Sequence, residues 1–256
     1  MNILKVMLQK EWMENLRTYK VVSLIIVLMI MGIMSPFIAI IMPDVIKGAL
    51  PEAMKDMKIP KATYIDSYIQ FFKNVNQIGL IVLVIMYSGM LVNELNKGTL
   101  LNLVTKGLSR KYIILSKWLM SVCIWSIAFL IGGLIHYGYT LYYFSNEGNN
   151  KIMAYLMSWL FGVLLLSLIL MFSTLIKNNI GVMLSMIVFV IILFIANLKK
   201  GISDVSPLYL LQNNTQLMLG EIELSYAIMP IIVTVVLIIL SLFVSVIRFN
   251  KIEIRN

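Results

Sequence analysis

The sequence has few charged residues and almost no residues that could form a disulfide or a metal site. Charged side chains make up 13% of the 256 residues, about half of the share in ordinary soluble domains. Cys123 is the only cysteine and His136 the only histidine. The chain therefore forms no internal disulfide, and these two residues do not supply the ligands of a zinc site. This composition excludes a soluble enzyme and a secreted disulfide scaffold.

What the sequence has instead is long apolar runs. Hydrophobic residues make up 60% of the chain, and the mean hydropathy is +0.92. The runs are long enough to cross a bilayer core of about 30 Å as helices, and they do not alternate as the strands of a barrel do. We therefore expect an all-α integral membrane protein with one transmembrane domain over residues 1–256. Six spans are predicted, over about residues 21–42, 75–93, 118–144, 152–176, 180–198 and 227–247.

The distribution of charge predicts the orientation of these spans. An even number of spans places both termini on one side, and the segments on that side carry the whole net charge of +9. The positive-inside rule then predicts cytoplasmic termini. The basic residues show no interleaved aromatics of the kind that would indicate nucleic-acid binding, so the expected partner is the lipid bilayer. The predicted span interiors carry no charge, which argues against an ion-driven secondary transporter.

The residues before the first span predict an interfacial helix over residues 1–20. Apolar residues recur there at three- and four-residue steps, with charged residues between them. Such a helix lies at the membrane surface, with Trp12 and Tyr19 at headgroup depth. Two roles stay open: the helix anchors the chain, or it transmits motion into the first span. Similar spacing of aromatic residues over Tyr64–Phe72 predicts a second interfacial helix in the first external loop.

Residues 94–117, between the second and third predicted spans, predict a short helix that needs a partner surface. Thr99 can cap this helix, and Leu100, Leu103 and Val104 form one apolar stripe along it. The helix is too short to be stable alone. Its stripe must therefore pack against lipid, against another part of the chain or against a soluble protein.

This segment resembles the cytoplasmic loop of ABC type-2 transporter permeases, the membrane subunits of bacterial ABC exporters. The residues Lys10-Glu11-Trp12 also resemble part of the interfacial helix that precedes the first span in these proteins. The chain length, six spans and cytoplasmic termini agree with the family as well. Gly107 is a departure, since many relatives carry a proline there. The residues of the segment that carry the resemblance are Glu94, Gly98, Thr99, Leu100, Thr105, Lys106, Gly107, Leu108, Ser109, Arg110 and Lys117.

The resemblance implies the membrane half of an exporter, in which two permease chains pair with two ATPase subunits. A coupling helix within residues 94–117 would dock on those subunits, and Glu94 would link the loop to the cytoplasmic gate. The sequence has no Gly-Lys pair and hence no P-loop. We therefore expect no enzymatic activity and no cofactor in this chain, with ATP and Mg²⁺ bound by the partner. The expected ATPase contacts are Glu94, Gly98, Thr99, Leu100, Leu103, Val104, Lys106, Ser109 and Arg110.

Four residues within the spans are candidates for lining a pathway. In the family the second and fifth spans lie near the dimer axis, so Ser88 and Gly89 would face it. His136 and Tyr139 lie near the outer end of the third span, either in an aromatic belt with a hydrogen-bonded histidine or as a polar wall for substrate. The external loop over residues 199–226 is either a plain surface loop or the short re-entrant helices of the family.

Taken with the resemblance, the sequence predicts a homodimeric permease of the bacterial plasma membrane that exports an amphipathic substrate. A peptide toxin, an antimicrobial peptide or a hydrophobic drug would fit. The phenol-soluble modulin and antibiotic-immunity exporters are branches that suit such a substrate, and no motif selects one of them. Pairing with a paralogue stays open. The alternative function is a membrane scaffold or sensor subunit that recruits a soluble partner through residues 94–117.

Overall fold

The computed structural model describes residues 3–51, 59–100, 108–145 and 147–251. Within these ranges the regular structure is helical, with no strand. A π-helical turn, Val75–Gly79, joins two of the helices. The α-helices are α1 (Ile3–Arg17), α2 (Lys20–Ala49), α3 (Tyr64–Asn74), α4 (Leu80–Tyr87), α5 (Val92–Asn96), α6 (Arg110–Tyr143), α7 (Lys151–Leu175), α8 (Asn179–Ala196), α9 (Tyr209–Gln212), α10 (Asn214–Leu219) and α11 (Leu224–Lys251).

Six helical segments of the described chain are long and apolar enough to cross a membrane, which confirms the predicted number of spans. The first span is α2, the second runs from α3 through α5, and the others are α6, α7, α8 and α11. Several segments are longer than their apolar runs. The helix of the third span begins at Arg110, so Lys117, which precedes the predicted apolar run, lies within this helix.

The predicted interfacial helix of the first external loop is instead part of the second span. Its first turn begins at Thr63, whose backbone N–H donates to the Asp66 carboxylate at 2.8 Å, and its last turn continues through the π-helical turn into α4. Tyr68, Phe71 and Phe72 are buried in the core. An aromatic face at helical spacing has the same sequence pattern whether it packs on lipid headgroups or on neighbouring helices, and here it packs on helices.

The fourth and fifth spans differ most in burial. In α7, 72% of the apolar window is buried inside the protein, whereas in α8 the fraction is 11%. α7 therefore lies at the centre of the bundle, in contact with α6, α8 and α11. α8 lies at the edge, with most of its apolar side chains exposed.

Two glycines allow α2 and α6 to cross closely. A Cβ atom on Gly32 would lie 2.4 Å from the carbonyl oxygen of Gly132, and one on Gly132 would lie 2.7 Å from the carbonyl oxygen of Leu28. Both distances are far below van der Waals contact. The two helices thus meet backbone to backbone, as small residues permit in membrane bundles.

The segment before α11 is packed rather than a plain surface loop. It forms the short helices α9 and α10, and it buries Leu210, Leu217 and Met218. The Asn214 amide donates to the backbone carbonyl of Ala154 at 3.0 Å and to the Ser158 hydroxyl at 2.8 Å. These bonds hold α10 against the first half of α7.

Candidate functional site

A cluster of charged side chains joins α1, α5 and α6. The charge cluster consists of Lys10, Glu11, Glu14, Glu94 and Lys117. The Lys117 ammonium lies 3.0 Å from Glu11 Oε1 and 2.9 Å from Glu94 Oε1. The Lys10 ammonium contacts Glu14 at 2.8 Å and Glu11 at 3.0 Å, and it also bonds Glu94. Residues far apart in the sequence thus meet in one ionic network.

The inner members of the cluster are buried, whereas Lys10 and Glu14 are partly exposed. Lys117 is 2% exposed, Glu11 3% and Glu94 6%. Moving such ions out of water costs several kcal/mol each, and that cost is offset only where each ion has a close partner of opposite charge. The cluster meets this requirement, and it therefore fixes the relative position of the three helices that contribute to it.

α1 contributes three of the five side chains of the charge cluster. Lys10, Glu11 and Glu14 face the protein, and the Asn15 amide donates to the Glu11 carbonyl at 2.8 Å. The apolar residues of α1 lie on both sides: Met7 is buried in the core and Leu8 packs against it, whereas Ile3, Val6, Trp12, Met13 and Leu16 are exposed. A helix is therefore present over Ile3–Arg17, with its central charged side chains turned toward the protein.

Electrostatics within the cluster shift the pKa values of its outer members. Desolvation favours the neutral form of the Lys10 ammonium, but attraction by Glu11 and Glu94, together with hydrogen bonds to Glu14 and Glu94, outweighs it and raises the Lys10 pKa. Desolvation likewise opposes ionisation of Glu14. A hydrogen bond with the Glu94 side chain and the charges of Lys117 and Lys10 overcome this, and they lower the Glu14 pKa to about 2. Both groups stay ionised over the physiological range.

The three acids of the cluster have lysines as their counter-ions. Carboxylate oxygens of Glu11, Glu14 and Glu94 lie within 4.8 Å of one another, which is compatible with a shared cation. Lys10 and Lys117 already bond these oxygens, however. Two ammonium groups supply the positive charge that a metal ion would bring, so the arrangement serves to hold helices together.

The segment after Glu94 turns sharply before it leaves the described residues. Gly98 adopts a left-handed backbone with φ of 67°, and the Thr99 hydroxyl donates to the Glu94 carbonyl at 3.2 Å. The Leu100 side chain is fully buried in the protein's own core. Of the surfaces that the sequence left open for the apolar stripe, Leu100 packs against another part of the chain. Leu103, Val104 and Lys106 lie outside the described residues.

Two further predicted contacts, Ser109 and Arg110, lie at the start of α6. Ser109 precedes the helix with an extended backbone and makes no side-chain cap hydrogen bond. The Arg110 guanidinium donates to the carbonyls of Phe249 and Asn250, both at 2.9 Å. These carbonyls belong to the last turn of α11, where a cation is favoured by the helix dipole. Arg110 thus links the third span to the sixth.

Of the four candidate pathway residues, His136 lies in the core and lines neither of the two cavities described below. It is fully buried, its Nδ1 lies 2.5 Å from the Tyr155 hydroxyl and its Nε2 lies 3.1 Å from the Ser67 hydroxyl. Its ring stacks on Phe71 with the centroids 4.3 Å apart. The hydrogen-bonded histidine is therefore the correct alternative, and it joins α3, α6 and α7.

The other three candidates occupy different settings. The Ser88 hydroxyl donates to the Ile85 carbonyl at 3.1 Å and is almost fully buried. A Cβ on Gly89 would lie 2.5 Å from the Asn93 amide nitrogen, so Gly89 permits a close contact. Tyr139 is 37% exposed and packs on Phe37. Of these three residues, none lines either of the two cavities described below.

A cavity that no sequence motif indicated lies between the second span and α8. Its volume is about 800 Å³. The walls are apolar, from α4, α7 and α8, and one end carries the polar side chains of Lys73, Asn76, Gln77 and Gln212. The π-helical turn contributes Asn76, whose amide donates to the Leu211 carbonyl at 3.2 Å. We refer to this space as the α4–α8 cavity.

Comparison with known proteins assigns the chain to a family. Residues 53–255 match the family described as "Protein of unknown function (DUF2705)". The chain belongs to the DUF2705 family. This DUF2705 chain is also 29% identical over 146 residues to the uncharacterized transmembrane protein YxlG of Bacillus subtilis (strain 168). That match covers 56% of the chain and 54% of YxlG, so the chain spans about half the length of this relative.

The relative and the six apolar helices agree that this DUF2705 protein is a multi-pass membrane protein. In the sequence, only the resemblance draws attention to Lys10, Glu11, Glu94 and Lys117. No local sequence pattern indicates their mutual contacts, because the partners on α1 and α6 are 106 residues apart. Only the packing of the spans brings them together.

Proposed function

We propose that this protein is the membrane subunit of an ATP-driven exporter that works with a separate ATPase. The observation that carries the proposal is the charge cluster at the junction of α1, α5 and α6. It lies where the segment of residues 94–117 leaves the second span and enters the third. A movement of that segment would reach three helices through one rigid contact.

The route from this segment into the bundle is short. Glu94 and Lys117 lie at the two ends of the segment and contact each other at 2.9 Å. Arg110 connects the same region to the last turn of α11. A partner that binds the segment and changes shape would therefore displace α1, α6 and α11 together, as a rigid-body shift.

The α4–α8 cavity is the proposed route for the substrate. Its apolar walls and its polar end suit a molecule with one apolar and one polar face. α8 is exposed along most of its length and borders this cavity. A second copy of the chain that packs against α8 would close the cavity and place it at the interface of a homodimer.

Energy must come from the partner in this proposal. The sequence lacks a P-loop, so ATP and Mg²⁺ would be bound by the ATPase dimer on the cytoplasmic side. The excess of basic residues on the side of the termini supports cytoplasmic termini in the plasma membrane. Leu103, Val104 and Lys106 remain the proposed contacts with the ATPase.

Co-purification tests this function. The protein is affinity-purified in mild detergent from membranes of its native host, as wild type, Leu103→Asp and Leu198→Asp. Leu198 is 86% exposed and follows α8 at the opposite membrane side from α1. We expect an ATPase subunit and its ATP hydrolysis to co-purify with wild type and Leu198→Asp. Leu103→Asp should reduce both by more than about tenfold, since a charge in a packed contact is costly.

Two outcomes would reject the proposal. Equal recovery of the ATPase with Leu103→Asp and Leu198→Asp would show that the segment is not the docking site. A soluble partner without ATPase activity, captured by wild type and lost in Leu103→Asp, would favour the scaffold or sensor function instead.

A further inference from the structure

A second cavity opens between the outer halves of α6 and α7. Its volume is about 1070 Å³, and we call it the α6–α7 groove. It extends from the loop that joins the two helices, at Gly148 and Asn150, to Ser126 and Trp159 near the middle of the helices. The lining residues of α6 are Ser126, Phe129, Leu130, Gly133, Leu134 and Tyr137.

The polar atoms along the groove are bonded to other parts of the protein. The Trp159 indole N–H donates to the Ser126 hydroxyl at 2.9 Å. The Tyr155 hydroxyl is bonded to His136. What these side chains present to the groove is therefore mostly apolar ring surface, and the groove has no strong preference for a polar occupant.

The length of the groove corresponds to one leaflet of the bilayer. From Ser126 to Tyr137, α6 rises roughly 16 Å at the helical rise of about 1.5 Å per residue. One leaflet is half of a hydrocarbon core of about 30 Å, and its thickness is therefore nearly equal to this rise. An occupant that enters from the surrounding lipid can thus lie along the groove from headgroup depth to the middle of the membrane.

One cationic side chain, Lys151, lies at the open end of the groove. Lys151 is the first residue of α7 and lines the groove there, beside Asn150 and Tyr137. Glu147 is the acid closest in sequence, and it attracts Lys151. A lysine at headgroup depth favours an anionic lipid over a neutral or zwitterionic one.

We infer that the α6–α7 groove binds one anionic phospholipid, with an acyl chain along α6 and the phosphate near Lys151. The lipid belongs to the leaflet opposite α1, because the third span ends on that side. This site lies apart from the charge cluster and from the α4–α8 cavity, so it does not depend on the proposed transport function. A bound lipid would hold α6 and α7 apart at their outer ends.

Two glycines of α6 provide a matched pair of variants. A Cβ on Gly133 would lie 3.5 Å from the nearest atom, in the Tyr155 ring, so a leucine side chain has room to enter the groove. Gly138 lies five residues further along the same helix, lines no part of the groove and has nothing within 4 Å of its Cβ position. Gly133→Leu and Gly138→Leu change helix propensity equally, and only the first fills the groove.

Native mass spectrometry tests the site. The delipidated protein is exposed to equal amounts of phosphatidylglycerol and phosphatidylethanolamine with the same acyl chains. We expect wild type and Gly138→Leu to retain one lipid, with phosphatidylglycerol preferred about fivefold over phosphatidylethanolamine. This preference corresponds to the attraction of about 1 kcal/mol that one lysine near a membrane surface contributes. Gly133→Leu should lose the bound lipid of either type. Lys151→Gln should bind one lipid without preference between the two headgroups.

Equal lipid retention by Gly133→Leu and Gly138→Leu would overturn the inference. So would a preference for phosphatidylglycerol that is unchanged in Lys151→Gln, and this variant decides the question if Gly133→Leu fails to fold. Disulfide-linked dimers of Leu134→Cys in a Cys123→Ser background would place a second protein chain in the groove, and would also overturn it.

Discussion

At the scale of single residues, Lys117 is the centre of the charge cluster. Its ammonium contacts Glu11 and Glu94, and both acids are almost fully buried. Replacing a buried ion leaves its partners without a counter-charge, which costs more than the pair itself contributes. Lys117 is therefore the position at which a single change disturbs the largest part of the site.

Lys117→Met tests this. It keeps the length and the apolar stem of the side chain and removes only the charge. We expect it to lower the free energy of unfolding by about 3–5 kcal/mol, measured as a lower thermal midpoint in mild detergent. Lys111→Met is the control, because Lys111 lies on the same helix, is exposed and contacts only the ring of its neighbour Tyr112 among the contacts described.

A second substitution separates lost charge pairing from lost packing. Adding Glu94→Gln to Lys117→Met removes one of the acids that the first change left unpaired, so part of the stability should return. Equal thermal midpoints for Lys117→Met and Lys111→Met would show instead that the cluster contributes nothing measurable.

The sequence marks Lys117 through the resemblance but does not show its ionic partners. The apolar pattern of the third span becomes continuous at Trp118, so Lys117 lies just before the predicted span. A lysine at that position is typical of a membrane boundary. Nothing in the neighbouring sequence indicates that this lysine pairs with Glu11, which lies 106 residues earlier. Leu100 shows the same limit of the sequence, because a buried leucine and a docking leucine have identical local patterns.

At the scale of helices, hydropathy predicted the spans well and their contacts poorly. All six apolar runs became helices. Length and composition decide this, since a chain in lipid must satisfy its backbone hydrogen bonds within each helix. Which helices cross closely depends on small residues that face each other. Gly32 and Gly132 are 100 positions apart, and their contact carries no local periodic signal.

Gly32→Ala tests the crossing of α2 and α6. Its Cβ would lie 2.4 Å from a backbone oxygen, which cannot move aside as a flexible side chain can. The helices must separate, and we expect a loss of about 1–3 kcal/mol in stability, as overpacking typically costs. Gly48→Ala, on the same helix with nothing within 4 Å of its Cβ position, should be neutral or slightly stabilising. The measurement is thermal unfolding in detergent, and equal midpoints for the two variants would contradict the close crossing.

At the scale of the whole molecule, the fifth span is the least buried of the six described spans. α7 is packed on several sides, whereas α8 is exposed and borders the α4–α8 cavity. Helices in lipid associate through packing rather than through the hydrophobic effect, so exposure of apolar residues alone does not require a partner. The cavity beside α8 is the reason to expect the second copy at this face rather than at α11.

Cysteine cross-linking in native membranes tests that arrangement. Ile191 lines the cavity on α8, and Ile239 is similarly exposed on α11. In a Cys123→Ser background, Ile191→Cys should give disulfide-linked dimers on mild oxidation and Ile239→Cys should not. Dimers from Ile239→Cys alone would place the interface on α11, and dimers from both in equal amount would indicate random collision.

The ion pairs of α1 also determine when this helix can pack against the bundle during biosynthesis. Glu11 is paired by a lysine that follows it by 106 residues, and Lys10 reaches an acid 84 residues later. At about 5–20 residues per second, translation needs roughly 5–20 s to supply these partners. Until then α1 holds its charges in the interfacial water while the first two spans insert. The surface on which it packs is complete only once the third span has entered the membrane, so α1 is made before its partners and docks late.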